Sequence, residues 1–265
     1  MLRLSLLWTL CLFLAPVLVV KGLLLRTRAL RLPEAAGPSA GTFGEAGPTL
    51  KLLSLGDSVI AGVGVEHSHQ ALTSQLALHL QSQLGEATDH PYSGHSVSWQ
   101  AMGHNGDRLG ELLARLPKAE DCAPDLVLIS IGVNDVSHLT SATRWQGQVS
   151  QLIAELQSRF GAPVVFLGIP PMGEFTALPQ PLRFALGVRA RMLDLTLQRA
   201  ARLVPGVYWF DTAAVFDADH LAADGYHPNA AANARLAEHL AATLLPQLAE
   251  HLAAPIANRA GAKPA

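Results

Sequence analysis

The feature that most limits what this chain can fold into is an alternation of short apolar runs with longer amphipathic segments. Two of the runs, Leu126–Ile131 (LVLISI) and Val164–Gly168 (VVFLG), are almost continuously apolar. Strands of a parallel sheet read this way because helices cover both of their faces. Three further short runs, Leu50–Leu55, Ser96–Ala101 and Val207–Phe210, have the same length and bounding turns. Between them the spacing predicts helices near 70–84, 108–116, 142–160, 182–203 and 229–250. In 182–203, Leu182, Leu186, Leu193, Leu197 and Ala200 or Ala201 recur at helical spacing. The alternation predicts an α/β domain, a three-layer α/β/α sandwich around a central parallel sheet of about five strands joined by right-handed crossovers. Ligands bind such sheets beyond the carboxyl ends of the strands, so residues directly after each strand are where chemistry is expected.

At 265 residues the chain has room for one sizeable domain with appendages. Residues 4–20 (LSLLWTLCLFLAPVLVV) carry no charge, and Lys21 closes the run. As a helix they extend about 25 Å, at the short end of what crosses a bilayer. No small-x-small cleavage site follows, so residues 1–25 are expected to be an uncleaved membrane anchor, with a cleaved signal or a buried amphipathic segment as alternatives. Lys21, Arg26, Arg28 and Arg31 outnumber Arg3, which points the following domain to the cytoplasm. Residues 33–48 hold three prolines and four glycines, so 26–48 reads as a linker. The globular domain is expected over 49–253 and a frayed tail over 254–265. A net charge of −2 supplies no basic face for nucleic acid. The two cysteines, Cys11 and Cys122, make no disulfide framework, and Cys11 is expected to stay away from the globular domain.

Four motifs fall where the topology expects chemistry. Gly56-Asp57-Ser58 follows the first strand, and a serine at a strand-to-helix turn can expose its hydroxyl beside its own N–H. Met102-Gly103-His104-Asn105-Gly106-Asp107 follows the second, with Asn-Gly as a tight-turn pair. Gly132-Val133-Asn134-Asp135 follows the third; the Asn134 carboxamide can donate to a developing oxyanion, while Asp135 suits a cap for the next helix. Asp224-Gly225-Tyr226-His227-Pro228 leads into the last helix, and its three-residue spacing lets a carboxylate reach the imidazole Nδ1 and leave Nε2 free to take a proton. Each motif alone is an ordinary turn or cap. Ser58 does not stand in a G-x-S-x-G pentapeptide, so the nucleophile elbow of the α/β-hydrolases is not supported there.

Together and in this order, the motifs resemble those of the SGNH (GDSL-type) serine hydrolases, whose markers are a Ser, a Gly, an Asn and a His. The likeness extends from about residue 50 to 250 and is carried by LGDSVIAGVGV, IGVNDV and DGYHP. It implies a flavodoxin-like three-layer fold with Ser58 as nucleophile, His227 as base and then acid, and Asp224 orienting the histidine. The Ser58 N–H, the Gly106 N–H and the Asn134 side chain would form the oxyanion hole. Around Gly106 the chain reads H-N-G-D-R, a departure from the family pattern that leaves Gly103 as a competitor. Many hydrolases of this type are exported, which opposes the cytoplasmic reading of the flanking charges.

The implied activity is a cofactor-free serine esterase acting on carboxylic esters such as lipid-like, lysophospholipid or thioester acyl groups. Alternatives are a carbohydrate O-acetyl esterase and a catalytically silent binding module on the same fold. Among eleven histidines, His67-x-His69 is the nearest approach to a metal pair, but no acidic or cysteine ligand stands at suitable spacing, so no metal is expected. Cys122 reads as a structural thiol. The apolar loop 170–181 should rim the same edge as Ser58 and is a candidate wall for an acyl pocket.

Overall fold

The computed structural model describes residues 2–44, 49–86 and 96–253. The expected tail, 254–265, and residues 45–48 of the expected linker lie outside them. Six strands form one sheet: β1 (Ala40–Phe43), β2 (Thr49–Gly56), β3 (Ser96–Gly103), β4 (Leu126–Ser130), β5 (Val164–Leu167) and β6 (Val207–Phe210), in the order β1-β3-β2-β4-β5-β6. Strands β2 to β6 pair in parallel; β1 runs antiparallel along β3, with Ala40 opposite Gln100 and Phe43 opposite Val97. The five parallel strands are the five expected from the apolar runs, in the doubly wound order that places the first of them second from one end.

Side-chain alternation explains the layers. Along β4, Val127 and Ile129 point to one face and Leu126 and Leu128 to the other, and all four are buried. The Val127 face is covered by α4 (Leu109–Ala114), α6 (Ala142–Phe160) and α7 (Leu182–Arg202), the opposite face by α3 (Leu72–Glu86) and α8 (Ala230–Ala253). Helix α6 shows why such segments fold as they do. The Ser141 hydroxyl accepts the Arg144 N–H at its start, and Gly161, at φ 61°, ends it in the left-handed conformation. Trp145, Val149, Leu152, Ile153 and Leu156 form its buried stripe. A five-residue helix, α5 (Val133–Ser137), follows β4 directly.

The amino-terminal segment differs from the continuous span expected. Pro16 lacks a backbone donor and sits in the first turn of a new helix, so the apolar run divides into α1 (Leu2–Phe13) and α2 (Ala15–Arg28). The two axes meet at 77°, and no single helix among the described residues is long and apolar enough to cross a membrane. Helix α1 lies on α7, where the Arg189 guanidinium stands 5.0 Å from the centre of the Trp8 ring. Cys11 is 5% exposed, which corrects the expectation that it stays away from the folded domain. Leu10, Phe13, Val19 and Val20 point outward to solvent.

The segment read as a linker is also tied down over its described part. The Ala35 and Ala36 N–H groups donate to the carbonyls of Ala61 and Glu66, and Ser68 and Ala101 donate to those of Ala36 and Ser39. Residues 40–43 then become the edge strand β1, a correction whose cause is pairing with β3 rather than any local β pattern in AGTF.

Candidate active site

The carboxyl ends of β2, β3 and β4 bring the motifs together. Ser58 follows β2, the loop carrying Gly106 follows β3, and Asn134 follows β4 within α5. The chain reverses direction of winding on either side of β2, which makes this the switch point at which doubly wound sheets bind ligands. Residues 57–64 are a succession of turns, and the α-helix predicted near 70–84 is α3, which begins fourteen residues beyond Ser58. No helix N-terminus therefore backs the serine. The Val63 N–H donates to the Ser58 carbonyl and the Ala61 N–H to that of Asp57, which holds the turns in place.

His227 reaches Ser58 from the loop that leads into α8, 169 residues further along the chain. Its Nε2 lies 2.9 Å from Ser58 Oγ, and its Nδ1 lies 2.6 Å from Asp224 Oδ2. The other Asp224 oxygen accepts the backbone N–H groups of Tyr226 and His227 at 2.9 and 3.0 Å. Burial works to raise the Asp224 pKa, but the His227 contact and the two backbone donors outweigh it and hold the carboxyl below its ordinary value. The loop is braced by the Ala222 N–H on the His227 carbonyl and the Asn229 N–H on that of His220. Gly64 makes room for it: its φ is +105°, and a Cβ there would lie 2.5 Å from the Pro228 carbonyl oxygen and 3.1 Å from His227 Cβ.

The two candidate glycines of the second motif differ sharply. A Cβ on Gly103 would lie 2.2 Å from the Ala61 nitrogen, so this glycine exists to let β3 pack against the turns after Ser58. Gly106, at φ +91°, faces open space with no atom within 4 Å of its virtual Cβ. The Asn134 amide donates one proton to the Asp107 carbonyl at 3.0 Å, linking α5 to the Gly106 loop and leaving its second N–H uncommitted there. Asp135 departs from its expected role. It lies inside α5 and caps a different helix, accepting the Leu109 N–H that opens α4 at 2.9 Å and the Thr140 hydroxyl at 2.7 Å.

Asp57 is a participant that the sequence did not single out. It is 2% exposed, and burial pushes its carboxyl up to about 7 against the lowering effects of the Val59 N–H and of His227. A cavity of about 110 Å³ opens beside Ser58 and His227, over the ends of β4, β5 and β6. Its walls are chiefly apolar and include Val133, Leu167, Phe175, Val215, Phe216 and Tyr226. Phe175 comes from the 170–181 loop that the sequence marked as a possible wall. A larger open groove of about 510 Å³ borders Lys51, Gln100 and Cys122 and contains no residue of the four motifs. Among the described residues no three His, Cys, Asp or Glu side chains converge to hold a metal; the His67 and His69 rings stack on one another 5.5 Å apart.

A hydroxyl, an imidazole and a carboxylate in series at a switch point form the geometry that acyl-transferring hydrolases use. Residues 54–235 match the GDSL-like lipase/acylhydrolase family, and the chain belongs to it. A GDSL-like esterase of Mycobacterium tuberculosis is 35% identical over 123 residues, which are 44% of this chain and 39% of that protein's length. Among solved structures, a lipase from a goat rumen metagenome has a TM-score of 0.59 at 19% identity, with 73% of this chain and 96% of that one covered. The psychrotrophic esterase EstA of a Pseudoalteromonas species gives 0.55 at 18%, covering 74% and 97%. At these identities the likeness is one of fold.

Proposed function

We propose that the protein hydrolyses carboxylic esters through an acyl-enzyme on Ser58. Ser58 Oγ attacks the ester carbonyl as His227 Nε2 takes its proton, and the developing oxyanion is held by the Ser58 N–H, the Gly106 N–H and the free N–H of Asn134. His227 passes the proton to the departing alcohol, then draws one from the water that attacks the acyl carbon and returns it to Ser58 Oγ as the acid leaves. Asp224 fixes the imidazole tautomer and stabilises its charged form. The observation that carries this reading is the unbroken series of contacts from Asp224 Oδ2 through His227 to Ser58 Oγ, at 2.6 and 2.9 Å. The same series argues against a silent binding module, which has no use for an aligned base.

The apolar cavity beside Ser58 suits the acyl half of the ester. Residues 2–31, with outward apolar side chains on α1 and α2 and five cations but no acidic residue, suit the surface of an anionic membrane, with the domain on the cytoplasmic side by its flanking charges. The test is hydrolysis of p-nitrophenyl acetate and butyrate by the full chain beside Ser58→Ala. Wild-type turnover with at least a thousandfold loss in the variant is the expected result; equal rates would remove Ser58 from the mechanism.

A further inference from the structure

The cavity beside Ser58 is walled in part by an aromatic stack, and the stack carries an inference about which esters fit. Phe175 and Phe216 lie nearly parallel, with ring centres 5.6 Å apart and planes 20° apart. Tyr226 meets the edge of Phe175 at 5.0 Å and in turn stands 5.6 Å from the His227 ring. A continuous series of rings thus runs from the imidazole through Tyr226 and Phe175 to Phe216 along the cavity wall. The Tyr226 hydroxyl is fixed to Ser137 Oγ at 3.2 Å, so the ring nearest His227 is held at both ends.

The Phe175 side of the wall is rigid. Phe175 is 2% exposed, and the loop before it presses directly on α7: a Cβ on Gly187 would lie 2.7 Å from the Gly173 Cα. Met172, between the two, is fully buried. This wall cannot retreat without lifting the loop off the helix. Phe216 is only partly buried and packs on the fixed Phe175. On the other side of β2 the arrangement is the reverse, since His104, Asn105 and Gly106 are all exposed.

A cavity of 150 Å³ in a protein core takes one benzene ring, so 110 Å³ holds an acyl chain of about four carbons. We propose that Phe175 and Phe216 form a stop that limits the acyl group to acetyl through butyryl, leaving the bulk of any natural substrate to its alcohol half on the exposed side. The proposal rests on Ser58 being the acylated residue. Its consequence is that the specificity lies in one aromatic pair, of which Phe216 is the adjustable member.

The experiment measures kcat/KM for p-nitrophenyl acetate, butyrate, hexanoate and octanoate with the full-length wild type, Phe216→Ala, Phe216→Trp and Ser58→Ala. Holding the leaving group constant makes the acyl length the only variable. The wild type should favour butyrate over octanoate by at least about tenfold, the discrimination one or more unaccommodated methylenes produce. Phe216→Ala should shrink that ratio by about tenfold, and Phe216→Trp should move the optimum to acetate. The proposal is overturned if the wild type turns over octanoate as well as butyrate, a result that needs no variant to fold. It is equally overturned if both Phe216 variants are folded, active and unchanged in profile. Undiminished activity in Ser58→Ala would instead defeat the nucleophile assignment, so the two failures are told apart.

Discussion

Asp57 and Asp224 are two carboxylates near one imidazole, and their surroundings push them in opposite directions. Asp224 is bonded to His227 and two backbone N–H groups and stays ionised; Asp57 has a single 3.3 Å bond from the Val59 N–H and is pushed by burial to about 7. Between the ordinary carboxylate pKa and about 7, the unfolded chain has already lost the proton that folded Asp57 keeps. Stability must therefore fall as pH rises through that interval and level off above it, by up to about 4 kcal/mol for a shift of this size. Asp57→Asn removes the effect. Urea midpoints measured from pH 4 to 8 should decline in the wild type relative to the variant, and parallel curves would show that Asp57 titrates normally. Nothing in Gly-Asp-Ser announces this carboxyl, because burial is a property of the packed turns and of β4 beside them. Asp224 and His227 were legible for the opposite reason: three residues of spacing are enough for one to reach the other. The contact between Ser58 and His227, 169 residues apart, came into view in the sequence only through the resemblance to a family.

At the scale of elements, the parallel strands and long helices were readable because each carries a full period of buried side chains, as α6 does from Trp145 to Leu156. What escaped carries no such run: α5 has only five residues, and β1, AGTF, has no buried side chain along it, so both owe their form to neighbours. Asp135 illustrates the dependence, since the helix it caps lies earlier in the chain, and no local rule links residue 135 to residue 109. Replacing it by alanine would leave the Leu109 N–H and the Thr140 hydroxyl buried without their acceptor. Asp135→Ala should lose about 2–4 kcal/mol of stability, read from urea unfolding. A loss below half a kcal/mol would mean that α4 finds another cap. Because Asn134 is held to the Asp107 carbonyl in the same corner, the damage should also reach the oxyanion side of the site.

At the scale of the molecule, the amino-terminal pair is a broken apolar element whose inner side rests on α7 and whose outer side meets solvent. The apolar run was plain in the sequence; its 77° break was written there only as Pro16, whose effect depends on where the helix around it begins. The full chain should co-sediment with vesicles containing anionic lipid, and 0.5 M salt should weaken that binding as it screens the five cations. Indifference to both lipid charge and salt would remove the membrane from this account.

The stitching of residues 34–43 onto the sheet has a consequence for distance. From Arg28, the last residue of α2, to Glu34, whose side chain accepts the Asn105 N–H, there are six peptide steps. Fully drawn out they reach about 20 Å, half the diameter of a domain this size. With α1 and α2 settled in a bilayer, the catalytic body could not swing outward on a long leash. It would be moored flush against the lipid headgroups, sampling a thin layer of substrate instead of the surrounding solution.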